Sequence, residues 1–353
     1  MTWVLLYLGQ NASTMNDSTP LPSRYRGHIT DVAGLEVGHF TDPRRPTRCT
    51  VLLARDGAIG GADVRGAAPG TRETDLLDPC NLVEQVHAIV LSGGSAYGLD
   101  AAGGAMRWLE AHGIGIDVKV ARVPIVPSAV LFDLLVGDPS IRPDAAAGFA
   151  ACEAASTTPP REGNVGAGTG ACVGKVFGIE RAMKGGIGSA SLTVDGVTVA
   201  ALIACNALGD VIHPETARPI AGARQSADSL QLLDIRRALM QGQTTRAIIP
   251  GTNTTIGVVA TDAMITKTQA HRLAVLAHDG LARSINPVHT VSDGDTLFSL
   301  GTGKSGKSLG LMTLGAMAAE VTARATVNAV LASTGLRIGS LWLPGLADKT
   351  ERA

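Results

Sequence analysis

Aromatic residues are scarce in this chain, which holds three Trp, three Tyr and five Phe among 353 residues, against 43 Gly. So few large rings disfavour an aromatic-rich binding surface, and the glycines favour close backbone packing through small residues. With 45% hydrophobic residues the chain can still bury a large core. The composition therefore predicts layered α/β structure.

The chain also lacks an excess of charge and of cysteine. Its 30 basic and 31 acidic residues leave a formal net charge of -1, so no basic field gathers phosphates and nucleic acid is not expected as a partner. Five widely spaced cysteines without a CxxC pair disfavour a disulfide framework and a structural zinc site, and they fit a reducing cytoplasm. They are Cys49, Cys80, Cys152, Cys172 and Cys205.

The N-terminal stretch has no long hydrophobic run. Its apolar residues 2–8 lack a basic flank and a small-residue cleavage site, and they are too few to span a bilayer. We interpret residues 1–26 as a disordered leader, with a start at Met15 or a membrane anchor as the alternatives. Helical and strand patterns alternate without a break beyond it, so residues 27–353 are predicted to form a single domain.

The apolar pattern predicts short strands separated by glycine turns, among them residues 49–53 and 58–64. Residues 226–241 have the spacing of an amphipathic helix. A linker over residues 243–253 then leads into a buried strand over residues 255–260. The junction between that linker and that strand is the most informative point of the chain.

The tripeptide Asn253-Thr254-Thr255 stands at this junction. If the chain cut its own backbone there, Thr254 would become a nucleophile whose freed α-amino group is its base. An α-amino group titrates at about 7.7 to 8.0, so no histidine is required near neutrality. The plainer alternative is a turn followed by an ordinary strand threonine.

Four more polar residues are candidates for chemistry. Asp293 and Asp295 emerge just before an apolar run, where paired carboxylates could tune an amine or a hydroxyl. Asn206 ends an apolar strand and is a candidate oxyanion donor, and Lys175 lies among apolar and glycine residues within possible reach of substrate or nucleophile. The structural alternatives are an Asx turn, a turn asparagine and a snorkelling lysine.

The turn Gly93-Gly94-Ser95 joins a predicted strand to a predicted helix over residues 99–112. Amides at such a turn could line a pocket for a carboxylate or an oxyanion, or the glycines could serve close packing. The turn matches neither the P-loop nor the GxGxxG pattern, so a phosphate site is disfavoured.

The eight histidines show no HExxH spacing, and the chain has no GxSxG sequence. A metal site, a serine triad and a cofactor are therefore not expected. Three histidines are interpreted as structural or surface residues: His213, His271 and His289.

Four segments in order carry a recognisable pattern: residues 86–100, 166–170, 253–262 and 293–298. They resemble the L-aminopeptidase/D-esterase family, which includes the β-peptidyl aminopeptidases and nylon-oligomer hydrolase, and the resemblance extends from about Ile29 to Thr334. It implies a four-layer αββα sandwich that cleaves itself before a Ser or Thr. The new N-terminus would then attack amide or ester bonds.

By this resemblance the cut falls between Asn253 and Thr254, with Thr255 as the neighbouring alternative. It would give an α fragment of residues 1–253 and a β fragment of residues 254–353. The freed threonine would then form an acyl-enzyme that water hydrolyses. A homo-oligomer, a tetramer of αβ units, is implied as well.

The same resemblance gives the other candidates their roles. Asn206 matches the oxyanion donor, Lys175 the active-site lysine, and Asp293 and Asp295 the acidic pair near the nucleophile. The chain departs at Phe132, where the family carries a tyrosine whose hydroxyl helps to stabilise the oxyanion. Loss of one such donor costs on the order of 10²-fold in rate, so another group substitutes or the substrate range differs.

The leading hypothesis is a self-processing hydrolase that releases N-terminal residues from short peptides, amino-acid amides or esters. One rival is an acyltransferase of the ornithine acetyltransferase type, in which an amine outcompetes water for the acyl-enzyme. The other is a non-catalytic small-molecule binding protein that uses the turn at Gly93 and Gly94.

Overall fold

A computed structural model of the chain describes residues 23–40, 44–245 and 251–350. The strands are β1 (Glu36–His39), β2 (Cys49–Val64), β3 (Thr71–Arg72), β4 (Gln85–Ser92), β5 (Ile116–Asp117), β6 (Arg122–Val123), β7 (Ser128–Val130), β8 (Cys172–Val173), β9 (Met183–Lys184), β10 (Gly186–Val194), β11 (Val197–Asn206), β12 (Asp210–Ile212), β13 (Pro219–Ala221), β14 (Thr254–Thr261), β15 (Ile285–Asn286), β16 (Thr296–Gly301), β17 (Leu336–Ile338) and β18 (Leu341–Leu343). The helices are α1 (Ala101–Ala111), α2 (Ala145–Glu153), α3 (Ile235–Met240), α4 (Lys267–Ser284), α5 (Leu311–Leu331) and α6 (Ala347–Thr350).

The main sheet runs in the order β10-β11-β14-β16-β2-β4-β7-β3, and β1 also pairs with β2. The buried apolar residues of α4 and α5 form one cluster with one face of β10, β11 and β14. A second cluster joins the other face of these strands to β4, β7 and the first half of β2. A third lies between those strands and the helices α1 and α2. These three interfaces separate four layers, so the αββα sandwich is confirmed.

Strand β11 is buried on both faces, which explains why nearly all of its residues are apolar. Successive side chains of a strand point to opposite faces. Val199, Ala201 and Ile203 accordingly face the helices α4 and α5, whereas Ala200 and Leu202 face the second sheet layer. Both faces are buried, so the strand has no polar alternation.

Small residues bring the helices close to the strands, as the composition predicts. A Cβ atom on Gly61 would lie 2.4 Å from the backbone nitrogen of His271 in α4. A Cβ atom on Gly188 would lie 2.2 Å from the backbone nitrogen of Ala329 in α5. Larger side chains at these positions would push the helices away.

Residues 49–64 form one strand, so the prediction of two strands over 49–53 and 58–64 was wrong. The register with β4 shifts between Leu53 and Ala58, and Gly57 between them has a φ of 80°. The glycine therefore marks an irregularity that bends the strand rather than a turn that ends it. This bend lets β2 pass from one sheet layer to the other.

The prediction of a helix over residues 226–241 was also wrong, because only Ile235–Met240 is helical. The buried guanidinium of Arg224 donates to the carbonyl oxygens of Ala227 and Ser229. It thereby holds the segment in an irregular path, and Asp234 caps the short helix that follows.

Most of the predicted leader lies outside the described residues. Within its last residues, the backbone N–H and carbonyl of Tyr25 pair with the side-chain amide of Asn328 in α5, at 2.8 and 2.9 Å. The extent of the leader and the single-domain boundary at residue 27 stay predictions. Among the described residues, no helix is both long enough and apolar enough to cross a membrane.

The interface between the two sheet layers is expected to dominate stability. Leu202→Ala should lower the free energy of unfolding by about 2–5 kcal/mol, because Leu202 is fully buried there and a cavity would remain. Urea unfolding monitored by circular dichroism measures the change, in a Thr254→Ala background chosen so that the predicted self-cleavage cannot divide the chain. Leu82→Ala is the control, since Leu82 is 96% exposed and should change the free energy by less than about 0.5 kcal/mol. Equal effects of the two substitutions would contradict the layer assignment.

Candidate active site

The candidate site lies at one edge of the main sheet, where three strand ends meet. Strands β14 and β16 run parallel, so both begin at this edge, with Ile256 opposite Thr296. Strand β11 runs antiparallel to β14 and ends there, with Asn206 opposite Thr254. The topology therefore brings together Thr254, Asn206 and the acidic loop that precedes β16.

The carbonyl oxygen of Asn253 is held by two donors. The Thr254 hydroxyl Oγ1 lies 2.5 Å from it, and the backbone N–H of Gly294 donates to it at 2.9 Å. Asn253 and Thr254 are 1% and 3% exposed, so both contacts are shielded from bulk water. The nucleophile predicted from the sequence thus lies against the carbonyl group that self-cleavage would attack.

Asp293 presents an unused acceptor beside this junction. Its Oδ2 accepts the backbone N–H of Thr290 at 2.7 Å, whereas its Oδ1 is buried without a hydrogen-bond partner among the described residues. Burial, and then the negative charge of Asp295, raise the pKa of Asp293 to about 6. Asp293 is therefore a carboxylate at neutral pH that can still accept one proton or one hydrogen bond.

Both carboxylate oxygens of Asp295, by contrast, have hydrogen-bond partners. Its Oδ1 accepts the backbone N–H of Thr255 at 2.6 Å, and its Oδ2 lies 2.8 Å from Nδ1 of His289. The backbone N–H of His289 also donates to Oδ2, at 3.2 Å. The acid therefore connects the first residues of β14 to the loop that precedes β16.

Lys175 and Asn206 form the opposite wall of the junction. The ammonium Nζ of Lys175 donates to the carbonyl oxygen and to Oδ1 of Asn206, both at 2.9 Å, and to the carbonyl oxygen of Thr252 at 3.2 Å. Burial lowers the pKa of Lys175 to about 8, against the opposing effect of the nearby charges of Asp293 and Asp295. The lysine thus contacts the segment two residues before the predicted cut.

The side chain of Asn206 is held on both sides. Its Oδ1 also accepts the backbone N–H of Cys172 at 3.0 Å, and its Nδ2 donates to the carbonyl oxygen of Phe132 at 2.9 Å. Of the two N–H bonds on Nδ2, this contact uses one. Phe132 therefore reaches the site through its backbone, and Asn206 has one N–H that this contact does not use.

The amides of the glycine turn are not available as oxyanion donors, which favours close packing, the other of the two alternatives for this turn. The N–H of Gly93 donates to the carbonyl of Arg48, that of Gly94 to Oδ1 of Asp133, and that of Ser95 to the carbonyl of Leu131. Since all three amides have partners inside the fold, the turn serves close packing. It encloses the buried carboxylate of Asp133.

Two residues near the site were missed from the sequence. His289, interpreted as structural or surface, contacts Asp295, and its place four residues before Asp293 was the available signal. Lys184 is 1% exposed, and its Nζ donates to the carbonyl oxygen of Ala171 at 2.6 Å. It thereby stabilises the turn at Ala171 and Cys172, whose backbone N–H binds Asn206. The residues next to Lys184 in sequence gave no signal of this role.

Comparisons with known proteins agree with this arrangement. The family model described as "Peptidase family S58" matches residues 27–339. An "uncharacterized aminopeptidase" of Mycobacterium leprae is 43% identical over 331 residues, which cover 86% of this chain and 90% of that protein. A "6-aminohexanoate-oligomer endohydrolase" of a Kocuria species is 29% identical and covers 88% of each chain.

A solved structure has the same fold. The L-aminopeptidase D-Ala-esterase/amidase of Ochrobactrum anthropi, described as a variant of the Ntn hydrolase fold, superposes with a TM-score of 0.67. The superposition covers 95% of this chain and 94% of that one at 20% sequence identity. The likeness therefore extends through all four layers.

The ionisation of Asp293 should control chemistry at the junction. Because its pKa is raised to about 6, the carboxylate is present above that pH and is lost as the pH falls through it. We expect the rate of self-cleavage to rise about tenfold from pH 5 to pH 7, as followed by electrophoresis of freshly refolded chain. Asp293→Asn should cleave slowly and at a rate that does not change over this pH range. Asp228→Asn, at an exposed position, should keep the pH dependence of the wild type. A pH profile left unchanged in Asp293→Asn would rule out this role.

Proposed function

Since the chain belongs to peptidase family S58, we propose that it is a self-processing N-terminal-nucleophile hydrolase. It releases N-terminal residues from short peptides, amino-acid amides or esters through an acyl-enzyme on Thr254. The observation that carries the proposal is the contact of Thr254 Oγ1 with the carbonyl of Asn253, to which Gly294 also donates. A hydroxyl group, an acceptor carbonyl and a backbone donor are the parts that an acyl shift requires.

Self-cleavage begins when Thr254 Oγ1 attacks the carbonyl carbon of Asn253. The N–H of Gly294 stabilises the negative charge that develops on the carbonyl oxygen. The hydroxyl proton passes to the leaving nitrogen, the C–N bond breaks, and an ester joins Asn253 to Thr254. Water then hydrolyses the ester, which leaves a carboxylate on Asn253 and a free amine on Thr254.

The free Oδ1 of Asp293 suits it to carry the proton in this step. It is a carboxylate above a pH of about 6 and has no competing donor among the described residues. After the cut, the same oxygen is available to the new amine of Thr254. An acceptor kept free inside a buried site otherwise costs stability, which supports a functional reason for it.

Substrate hydrolysis reuses the nucleophile with a different base. The amine of Thr254 takes the hydroxyl proton as Oγ1 attacks the substrate carbonyl, and the leaving amine or alcohol departs with a proton. The remaining N–H of Asn206 stabilises the oxyanion in this step, and Lys175 fixes Asn206 through its Oδ1. Water then releases the acyl group.

Hydrolysis is favoured over the two rival functions. The Mycobacterium leprae and Kocuria relatives are named as an aminopeptidase and an endohydrolase, which favours water over an acceptor amine. A binding protein built on the glycine turn is disfavoured because the amides of Gly93 and Gly94 are occupied within the fold. Peptide and amide bonds are therefore the substrate class to test first.

We propose a cytoplasmic location as well, which the five free cysteine thiols support. Assembly into a tetramer of αβ units rests on the family resemblance alone. The substrates expected are small molecules or short peptides.

Thr254→Ala is expected to leave the chain at full length and to abolish hydrolysis of aminoacyl amides, because it removes the nucleophile of both steps. Wild-type protein should yield a fragment with the N-terminal sequence Thr-Thr-Ile-Gly, as found by Edman degradation and intact mass. Thr255→Ser is the matched control and should be cut at the same bond, since its backbone N–H to Asp295 remains. Cleavage of Thr254→Ala at this junction would refute the proposal.

Asn206→Asp should separate the two steps. The substitution keeps the oxygen that Cys172 and Lys175 contact but removes the N–H donors. We expect kcat for an aminoacyl amide to fall on the order of 10²-fold, with a much smaller effect on self-cleavage, whose carbonyl oxygen is held by Gly294. Asn164→Asp is the control, because the amide of Asn164 binds the carbonyl of Thr334 elsewhere. If the substitution slowed self-cleavage and amide hydrolysis equally, the proposal that Gly294 serves the first step and Asn206 the second would be contradicted.

A further inference from the structure

We propose that His289 is a positioning residue for self-cleavage: it holds Asp295 in the orientation that fixes the peptide plane after Thr254, and so aims the Thr254 hydroxyl at the Asn253 carbonyl. The inference rests on the proposed function, because it concerns the same junction. It adds a residue that has no direct contact with the reacting atoms.

His289 makes two hydrogen bonds to Asp295. Its backbone N–H and its Nδ1 both lie within hydrogen-bond distance of the carboxylate oxygen Oδ2, at 3.2 and 2.8 Å. A carboxylate only accepts hydrogen bonds, so the ring proton that makes this contact is on Nδ1. Two donors converging from one residue leave Oδ2 of Asp295 little freedom to rotate.

The other oxygen of Asp295 transmits this orientation to the nucleophile. It accepts the N–H of Thr255, and that N–H belongs to the peptide group whose rotation is the ψ angle of Thr254. Thr255 is fully buried, so its N–H would have no water to bind if Asp295 turned away. A buried amide without a partner is unfavourable, so Asp295 fixes the peptide plane after Thr254 while Gly294 holds the carbonyl before it. The two contacts together set the backbone from which the Thr254 side chain projects.

The ring of His289 packs against a second histidine, His278. It makes an edge contact with the ring of His278, with 4.8 Å between centroids. Nε2 of His278 lies 3.0 Å from the carbonyl oxygen of Asp63 in β2, and burial lowers the pKa of His278 to about 4. A neutral, fully buried ring anchored to a strand therefore packs against His289.

His289 has an uncommon backbone conformation. Its φ is 53°, in the left-handed region that few residues other than glycine adopt and in which Asn, Asp and His are the most frequent of them. A histidine kept in this conformation next to an acid at the junction favours a role beyond surface packing. The conformation also defines which substitutions test the role without disturbing the backbone.

The test compares His289→Asn with His289→Asp, because both side chains tolerate the left-handed conformation and have nearly the same shape. The Asn side chain offers an N–H in the place of Nδ1, whereas the Asp side chain offers only oxygens and repels Asp295. We expect His289→Asn to self-cleave within about threefold of the wild-type rate. We expect His289→Asp to be at least tenfold slower, by timed intact-mass measurement on the refolded full-length chain.

Two further measurements separate positioning from general stability. The thermal midpoints of both variants in a Thr254→Ala background report folding without cleavage, and they should lie within a few degrees of each other. His271→Asp is the matched control, since Nδ1 of His271 contacts the carbonyl of Ala62 rather than an acid. It should leave the cleavage rate unchanged.

The outcomes distinguish this inference from the proposed function. Wild-type chain that stays uncut would overturn the proposed function itself. Wild-type cleavage at Thr254, with His289→Asp cutting at the same rate, would overturn only the role of His289. A rate in His289→Asn as low as in His289→Asp would also overturn it, because the donor restored by Asn would then have no effect.

Discussion

The parallel pairing of β14 with β16 is the constraint on which the site depends. Parallel neighbours begin at the same edge of a sheet, so the loop before β16 must lie beside the residue before β14. That placement gives the bridge between Asn253 and Asp293 and the N–H of Gly294 on the Asn253 carbonyl. An antiparallel β16 would have carried the acids to the far end of the strand.

Burial decides how the charged groups behave once they are placed. Polar groups removed from water need partners, and the groups around Thr254 largely have them, through Asp295, Lys175 and Asn206. The pKa of Lys175 falls and that of Asp293 rises for the same reason, which is the loss of solvation of the charged form. The unpartnered oxygen of Asp293 belongs to the residue that bridges Asn253, and the other buried groups there largely have partners within the fold.

The sequence could predict buried strands in a layered α/β structure and a candidate nucleophile at Thr254, because composition and local patterns carry both expectations. A fully apolar strand such as β11 indicates burial on both faces, and a hydroxyl residue at the start of β14 indicates a reactive junction. It could not predict contacts made by backbone groups of distant segments. The N–H of Gly294 carries no side-chain signal, and the occupied amides of Gly93 and Gly94 depend on where residues 131–133 return in the fold.

The same limit explains the two errors in secondary structure. Periodicity over residues 226–241 is helical, but Arg224 binds the carbonyl oxygens that a helix would use. Gly57 has the appearance of a turn in the sequence, yet β4 continues alongside and the strand bends through it. In both places a long-range contact overrides the local preference.

The fully buried strand β14 has one more consequence. It lies between β11 and β16 in the middle of the main sheet, and α4 and α5 lie beyond it in sequence. A cut before Thr254 would therefore leave β14 and β16 of one polypeptide inserted between β11 and β2 of the other, so neither would have the complete sheet alone. Folding is a one-chain event before the cut and would be a two-chain event afterwards. If the cut occurs, it would follow folding of the intact chain, and fragments that separated would have to find each other in solution to form the fold again.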